Sequence, residues 1–261
     1  MKRSKRGLVL ILLFVFSFGT EAAFVLLDTS GRSDALGGCG VAGIGSNLKN
    51  PANVLEDEKC SLTLFHTDLY NLDLPLGTLE IQGIVLGAPL ALTVNKLVDG
   101  DRPYQESAYT LTTGGRIGKI AAGVNLRRVL LSSEVHGEGW AFDLGSTMDF
   151  RSKIKVGVAA NNLFSVINSS SGRVESQEVS LNIGFAYRIH DILYTAEVRD
   201  LNKMSLGLEK TFGNDLSLRM GYTDKQLTAG LGLRKGIFNF DYAYVPHALG
   251  NAHRLYIKME L

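Results

Sequence analysis

From Ser61 to the C-terminus, apolar residues recur at every second position and helical spacing is almost absent. The clearest stretch sets Trp140, Phe142, Leu144, Ser146, Met148 and Phe150 against Ala141, Asp143, Gly145, Thr147 and Asp149. A period of two places these sets on opposite faces of a strand, one apolar and the other small or charged. Val179 to Ile189 repeats the pattern, as do Leu216 to Tyr222, Leu227 to Leu233, Phe238 to Tyr244 and Leu255 to Leu261. The alternation predicts fourteen strands, at 61–70, 77–86, 88–98, 105–113, 117–127, 139–150, 153–162, 179–189, 192–199, 204–212, 216–223, 226–234, 237–244 and 253–261. Most have the length of a tilted membrane-crossing strand, ~9–11 residues, and the number is even, as in single-chain bacterial barrels.

The connections sort themselves by length. Gly87, Gly114-Gly115-Arg116, Arg151-Ser152, His190-Asp191, Gly213-Asn214-Asp215 and Lys235-Gly236 are very short, and they alternate with connections of varied length, of which 128–138 and 163–178 are the longest. Short turns at one rim and longer loops at the other mark a transmembrane antiparallel β-barrel; a soluble sandwich has no reason to sort its loops so. Two outer connections, 200–203 and 224–225, are short, and read as ordinary hairpins; the alternative is a low rim that forms a lateral exit or a docking edge. The non-lipid face carries small residues and charges of both signs, which suits a lumen. The charges expected to point inward are Arg127, Asp143, Asp149, Lys153, Lys155, Arg188, Glu197, Arg199, Glu209, Arg219, Arg234 and Asp241. Structural pairing is the plainer reading for most of them, a polar conduit the functional one.

Ahead of the strands the pattern changes. Lys2, Arg3, Lys5 and Arg6 precede the apolar run Gly7 to Phe18 and the small residues Ala22-Ala23, which together make a signal peptide, 1–23. The apolar run falls short of the ~20 residues of a membrane-spanning helix. Residues 24–60 show no alternation and are crowded with glycine, including Gly37, Gly38 and Gly40. Asn50-Pro51-Ala52 follows, with a short helical turn expected over 52–57 and Pro51 at its first position. Neither the spacing nor the Lys-Ser/Thr of a phosphate-binding loop is present, so this piece is expected to be a hatch inside the periplasmic mouth of a barrel spanning 61–261. Export permits a disulfide between Cys39 and Cys60; two small buried thiols are the equal alternative.

Composition removes several function classes. The chain has 261 residues, with 27 Lys and Arg against 26 Asp and Glu, so no basic excess exists to hold nucleic acid. Its 5 Pro and 29 Gly suit many strands joined by tight turns. The five histidines, His66, His136, His190, His247 and His253, show no spacing that ligates a metal. Ser61, His66 and His253 are the nearest approach to a nucleophile–base grouping, and no pattern supports it. No enzyme, metal or cofactor is expected.

Gly31-Arg32-Ser33-Asp34-Ala35-Leu36-Gly37-Gly38-Cys39-Gly40-Val41-Ala42, with Asn50-Pro51-Ala52, resembles the N-terminal hatch of the FadL superfamily. Leu64 to Tyr70 and Phe238 to Pro246, running on to Leu249–Arg254, resemble its PorV/PorQ (UPF0164-type) branch. The resemblance implies a fourteen-stranded outer-membrane barrel with a hatch, surrounded by outer-membrane lipid and inserted by the barrel-assembly machinery. It also implies one of two roles: passage of a hydrophobic small molecule, or partnership with proteins of the type IX secretion system. Asn53 stands where the family carries Gly, Cys39 interrupts the glycine run, and the outer loops are short for a transporter of that kind.

Overall fold

The computed structural model describes residues 30–57, 59–69, 74–100, 103–134, 136–150, 153–224 and 226–261, so the expected signal peptide and the Arg151-Ser152 turn lie outside the described residues. Two short helical pieces come first, α1 (Gly31–Ala35) and a 3-10 turn (Pro51–Leu55). The strands are β1 (Ser61–Asp68), β2 (Pro75–Val85), β3 (Ala88–Val98), β4 (Gln105–Ile117), β5 (Ile120–Ser132), β6 (Gly137–Phe150) and β7 (Ile154–Ser169). They continue as β8 (Val174–Glu175), β9 (Ser180–Ile189), β10 (Ile192–Arg199), β11 (Lys203–Phe212), β12 (Leu216–Thr223), β13 (Gln226–Lys235), β14 (Phe238–Val245) and β15 (Ala252–Glu260).

Fourteen of these form one closed antiparallel barrel. Each pairs with its chain neighbours, β7 pairs with β9, and β1 pairs with β15 from Ser61↔Glu260 to Asp68↔His253. Closure leaves no unpaired edge, which is what a bilayer demands of a sheet. β8 is a two-residue ribbon folded back on the end of β7. No helix among the described residues is long and apolar enough to cross a membrane.

The predicted strands match in number and order, with three boundary corrections. β4 continues through Gly114-Gly115-Arg116, and the turn lies at Gly118-Lys119. Gly114 belongs in the strand because a Cβ there would lie 2.6 Å from the Ala122 carbonyl oxygen; close packing of backbones, not a turn, selects this glycine. β5 extends to Ser132 and β7 to Ser169, which consumes much of the two loops expected to be longest. The connection 200–202 and the turn after Thr223 are tight hairpins with left-handed residues at Asp200, Leu201 and Asp224 (φ 50°, 60° and 46°), so the plainer reading of these connections stands.

The outer wall is apolar. Leu64, Ile81, Leu92, Leu126, Leu144, Ile183, Leu218 and Leu231 all face outward and are exposed. In water such a surface would be an aggregation liability; against lipid it is the solvated face. Charges on this face sit toward strand ends and lie against rings: the Arg128 guanidinium is 5.4 Å from the Trp140 ring centre, and the Lys210 ammonium 5.9 Å from that of Phe212. This is how amphipathic side chains reach the headgroup level.

Candidate functional site

Residues 30–57 lie inside the barrel and touch opposite sides of its wall. The Ser30 hydroxyl caps α1 by accepting from the Ser33 amide at 3.2 Å. Gly37 and Gly38, at φ 73° and 82°, end the helix in a conformation costly for any other residue and turn the chain across the lumen. The Asn50 side chain caps the second piece, accepting from Ala52 N at 3.0 Å. It also donates to the carbonyls of Val41 (2.6 Å) and Ser146 (3.2 Å), so one amide ties the segment to itself and to β6. The helical turn expected over 52–57 is a 3-10 turn at Pro51–Leu55. Asn53 gathers the glycine loop by donating toward the carbonyls of Gly40, Gly45 and Ser46 at 3.1–3.2 Å.

The wall holds this segment with buried charge. Glu197 on β10, 1% exposed, accepts from the amides of Gly40 (2.8 Å) and Val41 (3.0 Å) and pairs with Lys49 at 3.0 Å. Arg32 bonds Glu209 on β11 through two 2.7 Å contacts, a fork geometry that fixes orientation as well as distance. Asp34 pairs with Arg254 on β15 at 2.6 Å. At the periplasmic rim Glu56 meets Lys155, and Asp57 meets Lys258. Glu209 also receives Arg219 at 2.8 Å and Arg188 at 3.4 Å. Pairing therefore prevails among the inward charges, and much of it runs from wall to segment.

Glycines supply the fit. Gly123 faces Gly145 across β5 and β6, Gly157 faces Gly184 across β7 and β9, and Gly207 faces Gly221 across β11 and β12. A Cβ on Gly145 would overlap Asn50 Oδ1, one on Gly157 the Val41 carbonyl, and one on Gly221 the Gly37 amide. These pairs were not singled out from the sequence. Their signal was present there as glycine at inward positions within strands that alternate regularly.

Asp143 forms a second buried centre, part of the wall itself. Its carboxylate accepts from Arg127 (2.6 Å), Asn125 (3.1 Å) and the Asn162 amide (2.8 Å), and it is fully buried. β6 and β7 slip register between Phe142 and Leu144, and Asn162 takes φ 57° in the resulting bulge. Asp149 reaches Arg116 at the periplasmic mouth (2.9 Å), and Arg234 reaches Glu260 (3.1 Å). Lys153 sits exposed just before β7, at the barrel mouth, where it lines a cavity with Asp149, Lys155, Arg188 and Arg32 of the segment.

Cys39 and Cys60 are both free, so the bridge is not formed: Cys39 is buried in the segment while Cys60 is exposed at the rim. Burial pushes the Cys39 thiol up to about 11, against a smaller opposing effect of the neighbouring Thr195 side chain. At pH 8 it is therefore a protonated, weak nucleophile. Alkylation of the folded protein at that pH is expected to modify Cys60 and spare Cys39, with mass spectrometry reading the site. Equal labelling would mean the segment leaves the lumen on the experimental timescale. Ser61 is buried and faces the lumen, whereas His66 and His253 are exposed on the outer face, so these three do not converge. His253 Nδ1 lies 2.7 Å from the Tyr242 hydroxyl instead. Among the described residues no group of three His, Cys, Asp or Glu could hold a metal.

Two lumenal regions remain. A polar basin of about 640 Å³ opens beside and beneath the segment, lined by Thr63, Thr78, Glu80, Tyr256 and Lys258 among others. On the outer side, apolar residues turn inward at two places: Phe65, Leu69 and Leu76 with Leu74 and Leu97, and Val129 and Ile167 with Ala108 and Leu131.

Comparison with known proteins agrees with this architecture. No family model and no curated protein matches the chain. Among solved structures it is similar to a Pseudomonas aeruginosa FadL homologue (TM-score 0.61, 10% identity, 92% of this chain and 100% of that one). It is also similar to the Ralstonia pickettii toluene transporter TbuX (TM-score 0.60, 12% identity, 92% and 100%). A deletion mutant of the monoaromatic hydrocarbon channel TodX aligns with TM-score 0.57 at 12% identity, over 90% and 98%. At these identities the likeness is one of fold: a closed β-barrel of the kind seen in these FadL-like outer-membrane proteins, here with an apolar outer wall.

Proposed function

We propose that this protein passes small hydrophobic molecules across the outer membrane, with residues 30–57 acting as a hatch. The carrying observation is the apolar lining of the outer half of a lumen that is otherwise polar: Phe65 is 3% exposed, Leu69 and Leu76 5%, Val129 0% and Ile167 4%. A lumen that only conducted water would gain nothing from inward aromatic and branched side chains. A hydrophobic guest among them would be desolvated at roughly 25 cal/mol per Å² of apolar surface buried. The structurally similar barrels named for toluene and monoaromatic hydrocarbons lend support. Purified protein in lipid vesicles is expected to speed entry of a long-chain or aromatic hydrophobic probe, and Val129→Asp is expected to abolish the gain by placing a carboxylate among those side chains. A rate equal to that of protein-free vesicles would refute the proposal.

A second reading, a partner of type IX secretion, draws on the tight outer hairpins at 200–202 and after Thr223, which offer no tall loops to build a capture groove. It predicts that crosslinking in native membranes recovers secretion proteins. Uptake of the probe without such crosslinks would exclude it.

A further inference from the structure

The basin and the outer apolar cluster meet at one row of side chains. Following the hydrogen-bonded register, Asp241 faces Tyr256, Tyr256 faces Phe65, Phe65 faces Thr78, and Thr78 faces Asn95, all inward. One step toward the periplasm the row reads Asn239, Lys258, Thr63, Glu80 and Thr93, wholly polar. One step outward it passes through Arg254, Thr67, Leu76 and Leu97. Tyr256 lines the basin on one side and packs against Phe65, Leu69 and Leu76 on the other. On the β15–β1–β2 side of the barrel, the step from polar basin to apolar cluster therefore occurs at Phe65 and Tyr256.

The hatch bears on this same row. α1 packs against β12, β13, β14 and β15. A Cβ on Gly31 would lie 3.2 Å from that of Asp241 and 3.3 Å from that of Tyr256, so the start of α1 rests directly on the row. Asp34, one helical turn on, pairs with Arg254 immediately outward of Tyr256. The 3-10 turn, by contrast, packs on β3 to β6, away from this sector.

We infer that the barrel holds a second, polar route beside the hatch, closed by Phe65 and Tyr256 and kept closed by α1. Its permeants are ions and small hydrophilic solutes, since Thr63, Thr78, Glu80 and Lys258 solvate charge and offer nothing to a hydrocarbon. A short apolar constriction stops ions by excluding water and needs no tight steric plug, so removing its two rings lowers the barrier. Arg254 and Thr67 in the next row outward supply the polar side of the path past Leu76 and Leu97. Displacement of α1 frees the Gly31 face of Tyr256 and breaks the Asp34–Arg254 pair together, which couples the closure to the hatch. The route does not depend on the cargo proposed above.

The test is single-channel conductance of the purified full chain in planar bilayers, in a Cys60→Ser background. Phe65→Ala with Tyr256→Ala is expected to raise ion conductance severalfold. In a protein that also carries Thr63→Cys, a charged methanethiosulfonate reagent should then reduce that conductance. Asp34→Asn alone should produce brief openings of the same amplitude. Unchanged conductance in the double alanine variant, with heat-modifiable migration confirming a folded barrel, would overturn the inference. A rise that the thiol reagent does not touch would do so too, by placing the current elsewhere. Hydrophobic probe uptake is a separate measurement, so its failure would sink the proposed cargo and leave this result standing.

Discussion

Replacing Gly145 and Gly157 together with valine is expected to evict residues 30–57 from the lumen while the wall still folds. The expectation rests on what lies opposite each missing Cβ. At Gly145 it is Asn50 Oδ1 with the Pro51 ring, and at Gly157 it is the backbone of Val41 and Ala42. The Asn50 amide is a side-chain end, but its bonds to Val41, Ser146 and Ala52 and the Pro51 ring beside it hold it in place, and the Val41–Ala42 backbone cannot swing aside. Overpacking costs roughly 1–3 kcal/mol per site, and the two glycines press on separate parts of the segment, so their costs should nearly add. The wall has no matching reason to fail, because its ladder is backbone to backbone and valine favours strands. Limited proteolysis should cut the variant after Arg32 or Lys49 under conditions that leave the parent intact, with heat-modifiable migration unchanged. Parent-like resistance would mean the segment is held by something other than this fit.

The same glycines show what the sequence could and could not reveal. The strand count, their order and both faces follow from period-two alternation, because a barrel wall meets lipid on one side and lumen on the other along its whole length. Trp140 to Phe150 was legible residue by residue, and so were the inward Asp143, Glu197 and Glu209. Gly114-Gly115-Arg116 misled, since glycine marks a turn and a close backbone approach with the same letter. The segment was legible as a piece apart from the strands through its glycine run and Asn50-Pro51-Ala52, but its partners were not. Glu197 and Lys49 are 148 positions apart, and only barrel closure with the chain turned at Gly37-Gly38 makes them a pair. Lys153 stands one residue before β7 and still lines the mouth beside Lys155 and Arg188, so the alternation carries past the end of the strand. The Phe65–Tyr256 row is likewise invisible in sequence, because it spans the seam where the first strand meets the last.

Glu197→Ala is expected to have the largest effect of any single substitution in the lumen. Its carboxylate serves three donors at once, the amides of Gly40 and Val41 and the Lys49 ammonium, and it is 1% exposed. Removing it leaves Lys49, itself 9% exposed, as a buried charge without its carboxylate. Breaking a buried pair in this way costs about 3–5 kcal/mol, and two buried amides lose their acceptor as well. Glu197→Gln keeps an acceptor oxygen but surrenders the charge, so it should fall between alanine and the parent. Lys49→Met combined with Glu197→Leu should recover much of the loss, because the uncompensated charge is gone while the volume is kept; the two amides would still be unserved. Hydrogen exchange of the Gly40 and Val41 amides reads the local effect, and urea unfolding in lipid vesicles reads the global one. If alanine and the double variant are equally destabilised, the energy lies in the amide bonds and not in the ion pair. If neither differs from the parent, Glu197 does not anchor residues 30–57, and its burial against Gly40 and Val41 serves the wall alone.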